Sequence, residues 1–211
     1  MTPFSLKDKA NNTSLDFNLP SSWQEITLAQ MIAWEASARK GRLTFTRQLE
    51  IFTGIPEATW NNCSIMSLDT MLAPYLDWLK EPLDEASFKD VPQSVVIDGQ
   101  VMPVSKDIEL KTYGQYITFK TEMSNHMKLK AKGDIESIGL DFFPMAIAIY
   151  LYPEKVWDDT KVAAFADKVK HLPLLQAHPL ATFFFLKFLQ SLSENEKSYT
   201  TNLTISNSEP V

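Results

Sequence analysis

The sequence predicts an α+β protein, predominantly helical, with a helical N-terminal lobe, a central β-hairpin and a helical C-terminal core. Three observations predict it. Apolar residues recur three and four apart through most of the chain. Two β-prone runs flank Asp98-Gly99 in the middle. With 211 residues, 45% hydrophobic and 22% charged, the chain carries enough apolar side chain to offset the entropy of ordering it.

Residues 1–18 mix Lys, Asp, Asn, Thr and Ser, and the expectation there is a flexible arm. The helical N-terminal lobe is expected over 19–80. Its first helix is placed at 28–39 and stopped by Gly41. Thr27 and Gln30 stand three apart ahead of an apolar-periodic segment. The Thr hydroxyl can accept from the Gln30 amide while the Gln side chain returns to the Thr27 amide. Ile26 and Met31 occupy the flanking staple positions, and Leu28, Ile32 and Glu35 follow at helical spacing. A second helix is expected over 43–52, burying Leu43, Leu49 and Phe52 and ending at Thr53-Gly54-Ile55-Pro56. A helical turn from Pro56 through Trp60 is broken by Asn61-Asn62. A third helix over 66–80 carries an apolar stripe, with Ser67 as its cap and Pro74 bending or dividing it.

Residues 81–93 are polar and hold Pro82 and Pro92, so a linker is expected there. Ser94–Ile97 and Gln100–Val104 should then form a hairpin about Asp98-Gly99, with Pro103 confining the second strand to an edge. The unit running from this hairpin through the C-terminal helices is expected over 94–193. Thr112-Tyr113-Gly114-Gln115-Tyr116-Ile117-Thr118-Phe119 shares Thr, Gln and Ile with Thr27-Leu28-Ala29-Gln30-Met31-Ile32-Ala33-Trp34, and an aromatic ends both. Either a duplication or two independent capping boxes would produce that match, and three identities in eight positions lean slightly toward coincidence. Gly139–Tyr152 reads as a nearly all-apolar helix stopped by Pro153. Asp158–Leu172 is amphipathic, with Val162, Phe165, Val169 and Leu172 on one side. Pro179–Leu192 presents a dense aromatic face, with Pro173 and Pro179 as boundaries. A flexible tail is expected over 194–211. Both apolar runs, Phe142–Tyr152 and Leu180–Leu192, fall short of the roughly 20 residues of a membrane span.

The residues that could carry chemistry are scattered. His171 and His178 are seven apart with Pro173 between them, His126 is remote in sequence, and Cys63 is the single cysteine, so no metal site is expected. Asp107 with Glu109 and Asp158 with Asp159 could be nominated as acid and base. Asp158-Asp159 opens a helix, where a capping role is the better reading. The six glycines form no phosphate loop. No catalytic residue and no cofactor is expected. A net charge of −6 offers no field toward phosphate, and Lys120, Lys128, Lys130 and Lys132 read as a solvated face, so nucleic acid is not the expected partner. The N-terminal residues lack the apolar core of a signal peptide, and synthesis in a reducing compartment is expected. Trp23, Trp34, Trp60, Trp78 and Trp157 are many for a chain of this size. Trp23 and Trp157, beside polar neighbours and element starts, are the expected interface positions.

Leu19-Pro20-Ser21-Ser22-Trp23-Gln24-Glu25-Ile26-Thr27-Leu28-Ala29-Gln30, followed by Thr53-Gly54-Ile55-Pro56, resembles small proteins encoded among the virion genes of tailed bacteriophages. Ala148–Pro153, Leu172-Pro173 and Phe183–Leu186 resemble the end of the same group. The resemblance implies a virion-associated structural or assembly protein: a tail, connector-ring or internal cargo component. It would be made in the host cytoplasm and carried into the particle, and its partners would be other phage structural proteins in a homo-oligomer or hetero-complex. A non-virion tail assembly chaperone or a host-directed binding protein is the alternative, with a small enzyme behind both.

Overall fold

The computed structural model describes residues 1–8, 13–63, 65–81, 88, 90–131 and 139–206. The protein is mainly helical α+β, with two antiparallel hairpins each leading into a group of helices. The segment expected to be an arm is the first of these hairpins. Strands β1 (Thr2–Asp8) and β2 (Thr13–Leu19) pair with Phe4 opposite Phe17 and Leu6 opposite Leu15. The period-two alternation of Leu15, Phe17 and Leu19 with Ser14, Asp16 and Asn18 puts one face on the core and one in water. The Phe17 ring meets buried Trp60 edge-on at 5.0 Å.

A 3₁₀ turn over Trp23–Glu25 leads into helix α1 (Leu28–Arg39), on its expected boundaries. Gly41 takes a left-handed φ of 62° just beyond it. Helix α2 (Phe45–Thr53) starts later than expected because Thr44 caps it, its hydroxyl accepting from the Arg47 amide, which leaves Leu43 only half-buried. Gly54, at φ 75°, ends it, and α3 (Glu57–Asn61) follows. The expected helix over 66–80 is two pieces: α4 (Ile65–Leu72) and a 3₁₀ segment, Ala73–Lys80. Pro74 divides them, since it cannot donate into a continuous α-helical ladder. Ser67 is inside α4 and does not cap it.

Of the expected linker, 82–87 and 89 lie outside the described residues. Strands β3 (Ser94–Ile97) and β4 (Gln100–Pro103) form the second hairpin. Asp98 (φ 51°) and Gly99 (φ 76°) both take positive φ, the turn that matches strand twist and that Asp-Gly accepts most readily. Val95, Ile97 and Met102 are buried, while Val96 and Val101 face solvent. Pro103 sits at the end of the ladder, as expected.

Helix α5 (Tyr113–Ala131) follows the hairpin. A 3₁₀ turn at Leu140–Phe142 then leads into α6 (Phe143–Leu151), nearly every residue of which is buried. Helix α7 (Asp159–Val169) buries Val162, Phe165 and Val169, with Leu172 buried just past its end. Asp158 caps it, accepting from the amides of Thr160 and Lys161. Helix α8 runs from Leu174 to Ser206. Two expectations fail here: Pro179 lies inside α8 rather than at its start, and the helix continues into the segment expected to be a tail. Leu174, Ala177, Leu180 and Ala181 are all buried, and burying that stretch offsets the hydrogen bond that Pro179 cannot donate. Among the described residues no helix is long and apolar enough to cross a membrane.

The architecture repeats. Each half consists of a hairpin, a helix begun by Thr-x-x-Gln, a second helix, and then Pro-Glu-x-x-Trp: Pro56–Trp60 in the first unit and Pro153–Trp157 in the second. A helix and a proline follow in both, α4 with Pro74 and α7 with Pro173.

Candidate interaction surface

Both capping boxes form. In the first unit the Gln30 amide donates to Thr27 Oγ1 (3.3 Å) and the Thr27 amide to Gln30 Oε1 (2.9 Å). In the second, the Gln115 amide donates to Thr112 Oγ1 (3.2 Å), and the Lys111 and Thr112 amides both donate to Gln115 Oε1 (2.7 and 3.0 Å). Each glutamine has a further use. Gln30 Nε2 donates to Phe52 O (3.2 Å) near the end of α2, and Gln115 Nε2 to Ile149 O (2.9 Å) near the end of α6. A glutamate at either position would close the box but could not donate that second bond.

A box leaves the first two helical amides without a partner, because helix starts have no carbonyls one turn earlier. In α1 the turn between α7 and α8 supplies them. Leu28 N donates to Leu172 O (2.9 Å), Ala29 N donates to Lys170 O (2.8 Å), and Leu174 N donates back to Ile26 O (2.7 Å). Pro173 sits opposite Thr27 in an isolated bridge, and α8 packs on the 3₁₀ turn at Trp23–Glu25. The start of α1 is thus roofed by the second unit.

The start of α5 has no such roof. Among the described residues, no carbonyl accepts from the Tyr113 or Gly114 amides. Tyr113 is 79% exposed and Val156 75%, while Ile117, one turn into α5, is also exposed. Beside the box, Ile108, Leu110, Tyr116, Tyr150, Lys187 and Ser191 line a depression of about 260 Å³. Residues 108–110 stand where Trp23–Glu25 stand in the first unit, two to four positions before the capping threonine.

The two tryptophans expected at interfaces have different surroundings. Trp23 is half-buried against Trp78 (5.0 Å, nearly perpendicular), its Nε1 donating to Glu81 O while Trp78 Nε1 donates to Pro20 O. This reciprocal pair ties the exit of the first hairpin to the 3₁₀ segment over 73–80. Trp157, also half-buried, belongs to the open side. Its ring lies across Gly114, where an added Cβ would come within 2.5 Å of the indole, and its Nε1 donates to Asp159 Oδ1 (2.8 Å). Thr118 Oγ1 donates to the same carboxylate oxygen (2.9 Å). Sequence reasoning picked Trp157 but missed Tyr113 and Gly114. No local signal marked Tyr113, since Leu28 at the same position after the first capping threonine is wholly buried.

No family model, curated protein or solved structure matches the chain. Of the residues that could have formed a reactive centre, His126, His178 and Cys63 have local contacts. His126 Nδ1 lies 2.9 Å from Glu122 O with its ring against Phe142. His178 packs between Phe88 (4.2 Å) and Phe143 (5.2 Å), and burial holds its imidazole below the ordinary histidine range. His171 is exposed at the end of α7, and Cys63 is half-buried with its thiol directed at Thr59 O (3.6 Å). Among the described residues no three His, Cys, Asp or Glu side chains gather as a metal site. Of the lysine run, Lys120 and Lys128 are exposed on α5, with Lys120 Nζ 5.9 Å from the Tyr116 ring centre. Lys132 lies outside the described residues.

The two Pro-Glu-x-x-Trp segments are also used differently. Glu57 accepts from Thr44 Oγ1 (2.6 Å) and Thr46 Oγ1 (2.9 Å), which holds its carboxyl below the usual range. Glu154 instead accepts from Lys161 (2.8 Å). Trp60 is wholly buried, its Nε1 donating to Ile55 O (3.0 Å). In the first unit the motif's tryptophan is sealed into the core, and in the second it edges the open surface.

Proposed function

We propose that this chain is a structural or assembly component of a tailed-phage particle, acting through protein–protein contacts as a tail, connector-ring or internal cargo component. The observation that carries the contact reading is the open start of α5, where Tyr113 and Val156 lie largely in water beside half-buried Trp157. Contacts between proteins are enriched in aromatic anchors placed beside a polar rim, and this surface has that composition. The resemblance of Leu19–Gln30 and Thr53–Pro56 to virion-module proteins supplies the phage setting.

The test is to quantify this chain by mass spectrometry in purified phage particles, relative to the portal protein. A fixed copy number near a simple multiple of the portal's supports a ring or tail component, and a high, variable number supports cargo. Abundance in infected cells with absence from particles overturns the virion reading in favour of an assembly chaperone or a host-directed binder.

A further inference from the structure

The turn between α1 and α2 concentrates positive charge. Residues 39–47 hold Arg39, Lys40, Arg42 and Arg47 and no carboxylate, in a chain whose net charge is −6. Gly41 (φ 62°) folds the backbone back, so that the Arg42 amide donates to Ser37 O (2.9 Å) in the last turn of α1. Lys40 and Arg42 thereby come beside Ser37, and with Ala36, Arg47 and Glu57 they line a depression of about 280 Å³. It belongs to the first unit and shares no residue with the surface at the start of α5.

The lining holds hydrogen-bond donors that nothing receives. Ser37 is 7% exposed, and its Oγ accepts from Arg47 Nε (3.2 Å), but among the described residues no acceptor takes its own hydroxyl hydrogen. A buried hydroxyl in that state has one bond left to make. Arg39 is paired with Glu35 and Asp141, and Arg47 with Glu50, whereas Lys40 and Arg42 have no ion pair or side-chain hydrogen bond among the described residues. The one carboxylate in the lining, Glu57, has its Oε1 occupied by the hydroxyls of Thr44 and Thr46. We infer that this depression binds a phosphate group, held by Lys40, Arg42 and the Ser37 hydroxyl. Ammonium and guanidinium groups make charge-assisted bonds to phosphate oxygens, and a tetrahedral oxyanion accepts from donors on several sides at once. Pockets for whole small molecules run from roughly 300 to 1,000 Å³, so a depression of this size suits a single charged group. Glu57 limits the affinity, because its charge opposes any anion in the depression.

The test is isothermal titration calorimetry of the purified full-length chain with inorganic phosphate, at neutral pH and fixed ionic strength. Saturable 1:1 binding is expected. Lys40→Glu and Arg42→Glu, both at exposed positions, should each weaken it by roughly tenfold or more, and Ser37→Ala by roughly tenfold. Glu57→Gln keeps an acceptor for the two threonines and should tighten binding severalfold, a gain that a misfolded variant does not give. A phosphomonoester forms the second arm. Binding equal to that of inorganic phosphate assigns the site to the free ion, and tighter binding assigns it to phosphate carried on a larger molecule. No saturable binding of either, acetate bound as tightly as phosphate, or wild-type affinity in both charge-reversal variants overturns the phosphate site. Each of these outcomes is independent of whether the chain is found in particles.

Discussion

The helix starts at Thr27 and Thr112 carry the same box and the same onward amide bond, yet one is roofed by the α7–α8 turn and the other is bare. The box is fixed by residues three apart, so it forms wherever the local sequence permits. What happens to the two remaining amides depends on which element packs against the helix end. The first unit has therefore become a closed part of one core, with Leu28 and Trp60 wholly buried. In the second unit the equivalents, Tyr113 and Trp157, are an exposed and a half-buried ring. The same design is sealed into the framework in one place and left open to solvent in the other.

The widest separation is expected at the tryptophans of the two Pro-Glu-x-x-Trp segments. Trp60→Ala removes a fully buried indole that packs on Phe17 and should destabilise the fold by about 3–5 kcal/mol. Trp157→Ala opens a half-exposed site and should cost well under half of that. Urea midpoints for the two variants decide it, and equal losses would mean that the second tryptophan is as deep in the core as the first.

The glutamines test the onward bond. Gln115→Glu preserves a box acceptor but loses the donor to Ile149 O and places a carboxylate in a buried position, so a loss of about 1–3 kcal/mol is expected. Gln30→Glu loses the corresponding donor to Phe52 O at a part-buried site and should cost less. Chemical denaturation of both variants gives the order, and the reverse order would show that the α1–α2 link holds more of the fold than the α5–α6 link.

At the second position of the two helices the residues differ, Ala29 against Gly114. Gly114→Ala drives a methyl group into the Trp157 ring and should destabilise by about 1–3 kcal/mol, with a change in tryptophan fluorescence as the indole is displaced. Ala29→Gly only loosens a helix start and should cost about 1 kcal/mol or less. A neutral Gly114→Ala would mean that Trp157 swings away freely.

These contrasts mark how far the sequence could be read. The Thr27 and Thr112 boxes, the Asp98-Gly99 turn, the Asp158 cap and the division at Pro74 were legible because each depends on residues within one or two turns. The first hairpin was legible in the alternation of Leu15, Phe17 and Leu19, but the polar residues between those positions disguised it as an arm. Pro179 was misplaced because burial of Leu174, Ala177 and Leu180 overrides a local helix-stop signal. The open surface was half legible. Trp157 stood out by residue type, whereas the exposure of Tyr113 depends on no described element covering the start of α5, which only the folded arrangement reveals. The repeat itself was obscured by unequal spacing: Gln30 precedes its Pro-Glu-x-x-Trp tryptophan by a shorter interval than Gln115 does, because α5 is longer than α1.

The smallest effect concerns the seam that makes the first unit closed. His178 lies in α8 one turn beyond Leu174, the residue whose amide reaches Ile26 O, and its ring is held between Phe88 and Phe143. Its Nδ1 is buried and has no partner among the described residues, and burial lowers its pKa from 6.5. The folded protein therefore favours neutral imidazole. The stability tied to this preference is fully present above pH 6.5 and is lost as pH falls through the lowered folded value, because the unfolded chain takes up the proton first. His178→Phe keeps a ring between the two phenylalanines and removes the titration. Its stability should match wild type near neutrality and exceed it increasingly as pH falls below 6.5, in urea unfolding measured at matched pH values. Parallel pH curves for the two proteins would mean that the histidine is protonated equally in both states, and that the roof over α1 does not respond to acid through this residue.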